Sequence, residues 1–175
     1  MANQLSPQEI SNQAKRIYQN GDFPAAAQAF AEAACGFLEA GDASMSAEMK
    51  NNQSVALLRD KNAQAALDAA QGTEVVFAEM NDTRRLGMAL ANQASALEAL
   101  KRLKEAIDFY TRAGEAFEKA GEGDLRFEVM QLLSSLYMRR LKFLDAIIAL
   151  QSGLAAVKNP TPKQSLMKKL LFFRL

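Results

Sequence analysis

The sequence predicts an all-α solenoid built from four antiparallel helix pairs and a single terminal helix. The first observation is a period of forty residues that runs through the chain without insertion or deletion. Residues that lie forty positions apart form a column, and the members of a column are similar in size. Four such columns are Ala26, Ala66, Ala106 and Ala146; Ala14, Ser54, Ala94 and Ser134; Ile17, Leu57, Leu97 and Tyr137; and Phe37, Phe77, Phe117 and Val157. The second observation is helical spacing of apolar residues within each copy, with one break near its middle. Such repeats bury their apolar faces only by stacking on their neighbours, which makes a solenoid.

The first unit shows how one helix pair is delimited. Residues 6–9, Ser-Pro-Gln-Glu, form a capping box with proline at the first helical position, so the first helix begins there and runs to about Asn20. Gly21 tolerates a positive φ, and Asp22 accepts the free amides of the next helix. Pro24 then lies in the first turn of the second helix.

The remaining breaks follow the same period. Those between units fall at 41–42, 81–82, 121–124 and 159–162. Within units, the turn at 60–62 keeps the capping residue Asn62, whereas those at 102–104 and 141–143 lack both glycine and a good cap. We expect weaker caps there and packing of Leu103 and Phe143 to hold the two corners. Residues 164–175 are predicted to be a helix that caps the open end, with a membrane-surface tail or a partner-binding helix as alternatives.

The amino-acid composition argues against several classes of function. The chain has 175 residues, of which 49% are hydrophobic, a net charge of +1, no histidine and one cysteine. These counts argue against zinc sites, catalytic triads and an internal disulfide, so we predict a non-catalytic protein without metal or cofactor. Cys35 is expected to be a small packed residue. Absence of a signal sequence, of a membrane-spanning stretch and of disulfides predicts a cytoplasmic protein.

The columns resemble the tetratricopeptide repeat (TPR). In the third unit the hallmark positions of that repeat are occupied by Leu90, Ala94, Leu97, Ala106, Tyr110 and Ala113. The resemblance covers one domain, 1–175, with repeats at 7–40, 47–80, 87–120 and 127–160, and the forty-residue period is similar to a long-helix variant. Lys50 and Ala70 depart from the pattern and suggest a thinner core in the second unit. The resemblance implies a right-handed superhelix whose first helices line a concave peptide-binding groove.

One column of this groove is occupied by asparagine in three units. Asn12, Asn52 and Asn92 share it, and Leu132 follows in the fourth unit. In related superhelical arrays asparagines at this position form a ladder on the backbone of an extended peptide, because each amide offers a donor and an acceptor. The alternative is that these amides only solvate the groove. Glutamines follow each asparagine, at Gln13, Gln53 and Gln93, and are expected to hydrogen-bond a neighbouring unit or to stay partly wet.

Further groove positions and a charged edge complete the candidate surface. By register the other candidate peptide-binding residues are Lys15, Asn51, Arg59, Gln131 and Arg139. Cations recur at the turns within units, namely Arg59, Lys61, Lys101, Arg102, Lys104, Arg139, Arg140 and Lys142. They complement helix dipoles, and an acidic or nucleic-acid partner is the alternative, although no strong nucleic-acid or membrane signal accompanies them.

The sequence therefore predicts a protein interaction scaffold that binds a peptide or an extended protein segment in its concave groove. The alternative is a structural assembly subunit that associates through its convex face, its terminal helix or itself, which includes a homo-oligomer.

Overall fold

The computed structural model describes residues 5–172, and these form helices and short turns only. Four antiparallel pairs follow one another along the chain, and they are α1 (Pro7–Gln19) with α2 (Phe23–Glu39), α3 (Ala43–Arg59) with α4 (Ala63–Ala70) and α5 (Thr73–Glu79), α6 (Thr83–Ala99) with α7 (Leu103–Ala120), and α8 (Gly123–Arg139) with α9 (Phe143–Ala156). A last helix, α10, spans Pro162–Phe172. The predicted all-α solenoid is confirmed, and positions 173–175 of the predicted terminal helix lie outside the described residues.

The turns repeat one backbone conformation every twenty residues. The residues with positive φ are Gly21, Gly41, Lys61, Asn81, Lys101, Gly121 and Leu141, apart from Gly72 within the second unit. Each ends a helix in the same way: for example, the N–H groups of Leu141 and Lys142 donate to the carbonyls of Met138 and Tyr137, both at 3.0 Å. These are the paired hydrogen bonds of a Schellman motif. Because the next residue is already the N-cap of the following helix, successive helices are tightly connected.

The caps differ between the two halves of the chain. Asp22, Asp42, Asn62 and Asp82 each accept the N–H three residues further on, as at Met45 and Arg85, both at 2.9 Å. Arg102 and Lys142 provide no side-chain cap, as the sequence predicted. Leu103 is partly buried against the core, but Phe143 is 54% exposed, so the expected packing of Phe143 was wrong. The matching residues of units one to three, Phe23, Ala63 and Leu103, are half-buried.

The second helix of unit two is broken, which distinguishes this unit from the others. α4 ends at Ala70, Gly72 adopts φ +84°, and α5 restarts at Thr73. The Thr73 hydroxyl is buried and donates to the Ala70 carbonyl at 2.6 Å, and it also lies 3.1 Å from Asn51 Oδ1 on α3. These contacts provide hydrogen-bond partners within the chain for the polar groups at the break, so the break has a defined conformation.

The hydrophobic core runs along the solenoid, and the residues that border it differ between the two ends. Buried residues of α4, α6, α7, α8 and α9 form one cluster, and α1, α2 and α3 form another. At the N-terminal end, α1 has exposed Glu9 and Arg16 where the matching column positions of later units are buried and apolar. At the other end, Met167 and Leu171 of α10 pack on Phe127, Leu154 and Val157. Cys35 is exposed, so its predicted packing was wrong.

Candidate functional site

Two adjoining clefts lie along the first helices of units one to three. The first, of about 310 Å³, is lined by Lys15, Tyr18, Gln19, Phe30, Asn52 and Val55. The second, of about 190 Å³, is lined by Glu48, Asn51, Asn52, Val55, Phe77, Arg84, Arg85, Met88 and Asn92. Asn52 and Val55 line both clefts, so the two form a continuous surface that runs from α1 across α3 to α6.

Four predicted site residues line this surface, namely Lys15, Asn51, Asn52 and Asn92. Asn52 and Asn92 are half-buried, and within residues 5–172 neither side chain forms a hydrogen bond with another side chain or with the backbone. Lys15 is exposed at the α1 end of the first cleft. Apolar residues of the clefts lie beside two amides that have donors and acceptors available, and Lys15 lies at the margin of the first cleft.

Two further predicted site residues, Asn12 and Gln131, lie outside both clefts, and Asn51 lines the second cleft but is engaged with another residue. Asn12 is exposed outside both clefts, and its amide oxygen accepts from Gln8 on the same helix at 3.2 Å. Asn51 is 7% exposed and is engaged with Thr73, so it stabilises the break in the second unit. Gln131 is exposed on α8 and also lies outside the two clefts.

The two predicted arginines already have partners within the chain. The Arg59 guanidinium lies 4.9 Å from the centroid of the Phe23 ring, a cation–π contact at the turn. Arg139 forms an ion pair with Glu98 across the third and fourth units. Both side chains lie on the charged edge, where Arg102 and Lys142 are also paired, with Glu105 and Asp145. The edge is therefore partly neutralised within the chain.

The glutamines behave as expected from the cost of burying an amide. Gln93 is 2% exposed, and its Nε2 donates to Glu74 of the neighbouring unit at 2.6 Å. Gln53 is half-buried and Gln13 is exposed. The prediction that these residues bond a neighbouring unit or stay partly wet is confirmed.

Residues at the cleft that the sequence did not single out are mostly aromatic or basic. Tyr18 and Phe30 line the first cleft, and Arg84 and Arg85 line the second. Arg85 donates to Asp82 at 2.6 Å and to Ser44 at 2.8 Å, and lies 5.0 Å from the Phe77 ring centroid. The backbone N–H of Arg85, together with its guanidinium, holds the pKa of Asp82 below its ordinary value. In the sequence, the two consecutive arginines at the start of α6 are the feature that could have identified this part of the second cleft.

A polar network joins units three and four beside the groove. The buried Tyr110 hydroxyl donates to Glu98 at 3.0 Å and lies 3.1 Å from the Ser95 hydroxyl, while Glu98 also pairs with Arg139. Burial raises the pKa of Tyr110 above its ordinary range, and the Glu98 carboxylate adds to the shift. The phenol is therefore held as a neutral donor.

The raised pKa of Tyr110 predicts a loss of stability in alkali. Because deprotonation is harder in the folded state, the free energy of unfolding is unaffected below the unfolded tyrosine pKa of about 10 and falls as the pH rises above it. Urea unfolding between about pH 8 and pH 11 measures this slope. Tyr110→Phe should be less stable at neutral pH by about 1 kcal/mol and show a shallower alkaline fall. Equal slopes in the two proteins would contradict this assignment.

Among residues 5–172, no three side chains of the metal-binding types histidine, cysteine, aspartate and glutamate come together as a metal site would require. Over the same range, no helix combines the length and apolar character needed to cross a membrane.

Stacked helix pairs with this register define a class, the TPR-like helical repeat solenoids. Two solved structures show the same fold. The nearly identical TPR-like repeats of a Podosopora anserina protein assigned as a kinesin light chain match with a TM-score of 0.74 and 14% identity, over 94% of this chain and 82% of that one. A variant of the same repeats with a glutamine replaced by methionine matches with a TM-score of 0.75 and 15% identity, over 97% and 85% of the two chains.

These likenesses establish the fold at an identity too low to transfer a partner. No protein-family model matches the chain, and no curated protein matches it in sequence.

Proposed function

We propose that this protein is a non-catalytic interaction scaffold that binds an extended segment of a partner protein along the two adjoining clefts. The observation that carries the proposal is the position of Asn52, which lines both clefts, with Asn92 beyond it and Lys15 before it. Neither amide has a side-chain hydrogen-bond partner among the described residues. A half-buried amide gains most from a ligand that supplies the missing donor and acceptor.

The lining of the clefts favours a segment of mixed character. Tyr18, Phe30 and Val55 offer apolar contact in the first cleft, and Lys15 at its margin attracts a carboxylate. In the second cleft Arg85 is already shared among Asp82, Ser44 and Glu48. The proposed ligand therefore presents an extended backbone to the two asparagines, apolar side chains to the cleft floor and an acidic group near Lys15.

Replacing Asn52 and Asn92 together with alanine tests this proposal. Two hydrogen bonds at about 0.5 to 1.5 kcal/mol each predict affinity at least about fivefold weaker, from a starting value in the micromolar range. The probe is a peptide selected from a random library on the unaltered protein, and its affinity is measured by fluorescence anisotropy. Circular dichroism verifies that the double variant stays folded.

The chain supplies a matched control in Asn12→Ala, since Asn12 belongs to the same column but lies outside both clefts. It should leave peptide affinity unchanged. Selected peptides that bind the double variant as tightly as the unaltered protein would refute the role of the asparagines. A cytoplasmic setting, favoured by the single cysteine, is part of the same proposal.

A further inference from the structure

The two segments of the second helix of unit two pack into different parts of the core. α4 contributes Leu67 to the main cluster, which also contains residues of α6, α7, α8 and α9. Phe77 of α5 instead packs with Ala47 and Ala89 in a small separate cluster. In unit three, Phe117 of the uninterrupted helix α7 belongs to the main cluster. The break therefore separates the packing of α5 from that of α4.

The break is not caused by a difference in helix length. α4, the break and α5 together span 63–80, the same number of residues as the uninterrupted helix α7. Gly72, with φ +84°, stands in the column of Arg112, and Thr73 stands in the column of Ala113. Glycine adopts a positive φ about as readily as a negative one, whereas other residues do so at a cost. The residue types at the break, rather than an insertion, thus produce it.

Polar side chains hold the first residues of α5. Glu74 accepts a hydrogen bond from Gln93 of α6 at 2.6 Å, and the Thr73 hydroxyl lies 3.1 Å from Asn51 Oδ1 of α3. Beyond these two residues, α5 is held by the small cluster around Phe77. The first turn of α5 is therefore fixed at the break, while the rest of this short helix has little apolar packing to hold it, which is typical of segments that move locally.

Clefts lie on both sides of the Phe77 side chain. On the groove side is the second cleft, of about 190 Å³. On the other side is a cleft of about 500 Å³ between the second helices α5 and α7, here called the outer cleft, with Val75 and Ala78 on the α5 side and Glu115 and Lys119 on the α7 side. Phe77 lines both clefts although it is only 1% exposed. α5 is therefore the partition between the groove and the outer cleft.

A ligand in the groove reaches this partition directly. Phe77 and Arg85 both line the second cleft, and the Arg85 guanidinium lies 5.0 Å from the Phe77 ring centroid. At about 190 Å³ the second cleft is smaller than the roughly 300 to 1,000 Å³ of typical ligand pockets. Close-packed cores resist compression, so a bulky side chain can be accommodated only if an element moves into an existing cleft. The outer cleft provides that room behind α5.

We propose that α5 is a hinged wall of the groove, which pivots about Gly72 toward the outer cleft when a bulky apolar side chain of the bound segment enters the second cleft. The proposal rests on the proposed function, because the bound segment favours the displaced position of α5 by binding to it more tightly. The movement enlarges the second cleft and narrows the outer cleft. Unit two thereby adapts the groove to side chains that an uninterrupted helix would exclude.

Hydrogen exchange of the free protein tests the hinge without a ligand. The amides at 77–80 of α5 are compared by mass spectrometry with those at 67–70 of α4 and with those at 117–120, the same columns of α7. We expect the α5 amides to exchange at least about tenfold faster than either reference, because α5 opens without the rest of the unit. Equal exchange in α5 and α4 would show that the two segments open together, which overturns the hinge.

A single tryptophan reports the movement that accompanies binding. The chain has no tryptophan, so Lys119→Trp places a unique fluorophore on the α7 side of the outer cleft. Tryptophan-free peptides are selected on the unaltered protein from two libraries, one with and one without large apolar residues. Peptides with large apolar residues should shift the emission to shorter wavelength as α5 approaches α7, and peptides without them should bind with no shift. Ala155→Trp, exposed on α9 outside the outer cleft, is the control label and should respond to neither.

Gly72→Arg tests the pivot by introducing the residue of unit three. A β-carbon at this position meets no atom within 4 Å, so the substitution acts on the backbone conformation and favours a continuous helix. It should remove the emission shift and slow exchange in α5 to the rate of α4. Gly21→Arg is the matched control, since Gly21 has φ +86° and an equally open surround, and it should leave both measurements unchanged. If circular dichroism shows no gain of helix in Gly72→Arg, Ala78→Phe fills the outer cleft instead and should abolish the shift.

Three further outcomes would overturn the proposal. The first is tight binding of a peptide with large apolar residues without an emission shift at position 119, and the second is an equal shift with peptides that lack such residues. The third is a shift that survives both Gly72→Arg and Ala78→Phe. Groove binding that depends on Asn52 and Asn92 but leaves α5 in place would refute the hinge alone. A protein that binds no groove peptide would refute the proposed function, and the role of the hinge in binding with it.

Discussion

Ala96→Arg should destabilise the protein by more than about 4 kcal/mol, because it places an unpaired charge at a position without solvent access. Ala96 is fully buried in the main cluster beside Leu97 and Leu133. The cluster around Ala96 consists of apolar side chains, so the arginine side chain would have to displace them or carry its charge among them. Urea unfolding followed by circular dichroism should show a large fall in the midpoint or no folded protein.

The matched control lies in the same column at the end of the solenoid. Arg16→Ala in α1 should change the free energy of unfolding by less than about 0.5 kcal/mol, since Arg16 is exposed among residues 5–172. Similar losses from the two substitutions would show that the outer face of α1 is covered in solution.

A second large effect is expected where the two helices of a unit meet. In unit three the Phe117 ring lies against Gly87, and a β-carbon at residue 87 would come within 2.8 Å of ring atoms. In unit four the sizes are reversed, since Phe127 packs with Val157 in the corresponding places. Gly87→Phe alone should cost about 3 kcal/mol or more through overpacking, and Phe117→Val alone about 2 kcal/mol through a cavity.

The double variant carries the pair found in unit four. Because the new ring occupies space that the old ring vacates, its loss of stability should be smaller than the sum of the two single losses by at least about 1 kcal/mol. The free energies of unfolding of the unaltered protein, the two single variants and the double variant together form a double-mutant cycle. Strict additivity would mean that residues 87 and 117 do not share one packing site.

Several local features could be predicted because they depend on residue types near one another in sequence. The forty-residue columns located the helix pairs, and the caps predicted at Asp22 and Asn62 are present. A positive φ was predicted at Gly21 and is present there. At Lys61, Lys101 and Leu141 the same φ occurs without glycine, at an intrinsic cost of about 1 to 2 kcal/mol for each residue. At these three turns, packing of the adjoining helices overrides the preference of the residues for negative φ.

The candidate site could be predicted only in part from the sequence. The register placed Asn12, Asn51, Asn52 and Asn92 on first helices, but it could not distinguish their surroundings. Asn51 turned out to be buried because the break between α4 and α5 brings Thr73 to it. Arg139 is engaged because Glu98 lies on the preceding unit, 41 residues earlier. Both facts depend on contacts between residues distant in sequence.

The sequence by itself determined the class of fold, the number of helix pairs and the columns that form the core, since these follow from periodicity and local capping. Only the tertiary structure decided which members of a column are open, engaged or covered. It left Asn52 and Asn92 in open clefts, enclosed Asn51, and exposed Phe143 and Ile147 on α9. The physical reason is that burial of a residue in a solenoid is set by the neighbouring unit, about forty residues away, and within residues 5–172 α10 packs on the C-terminal part of α9.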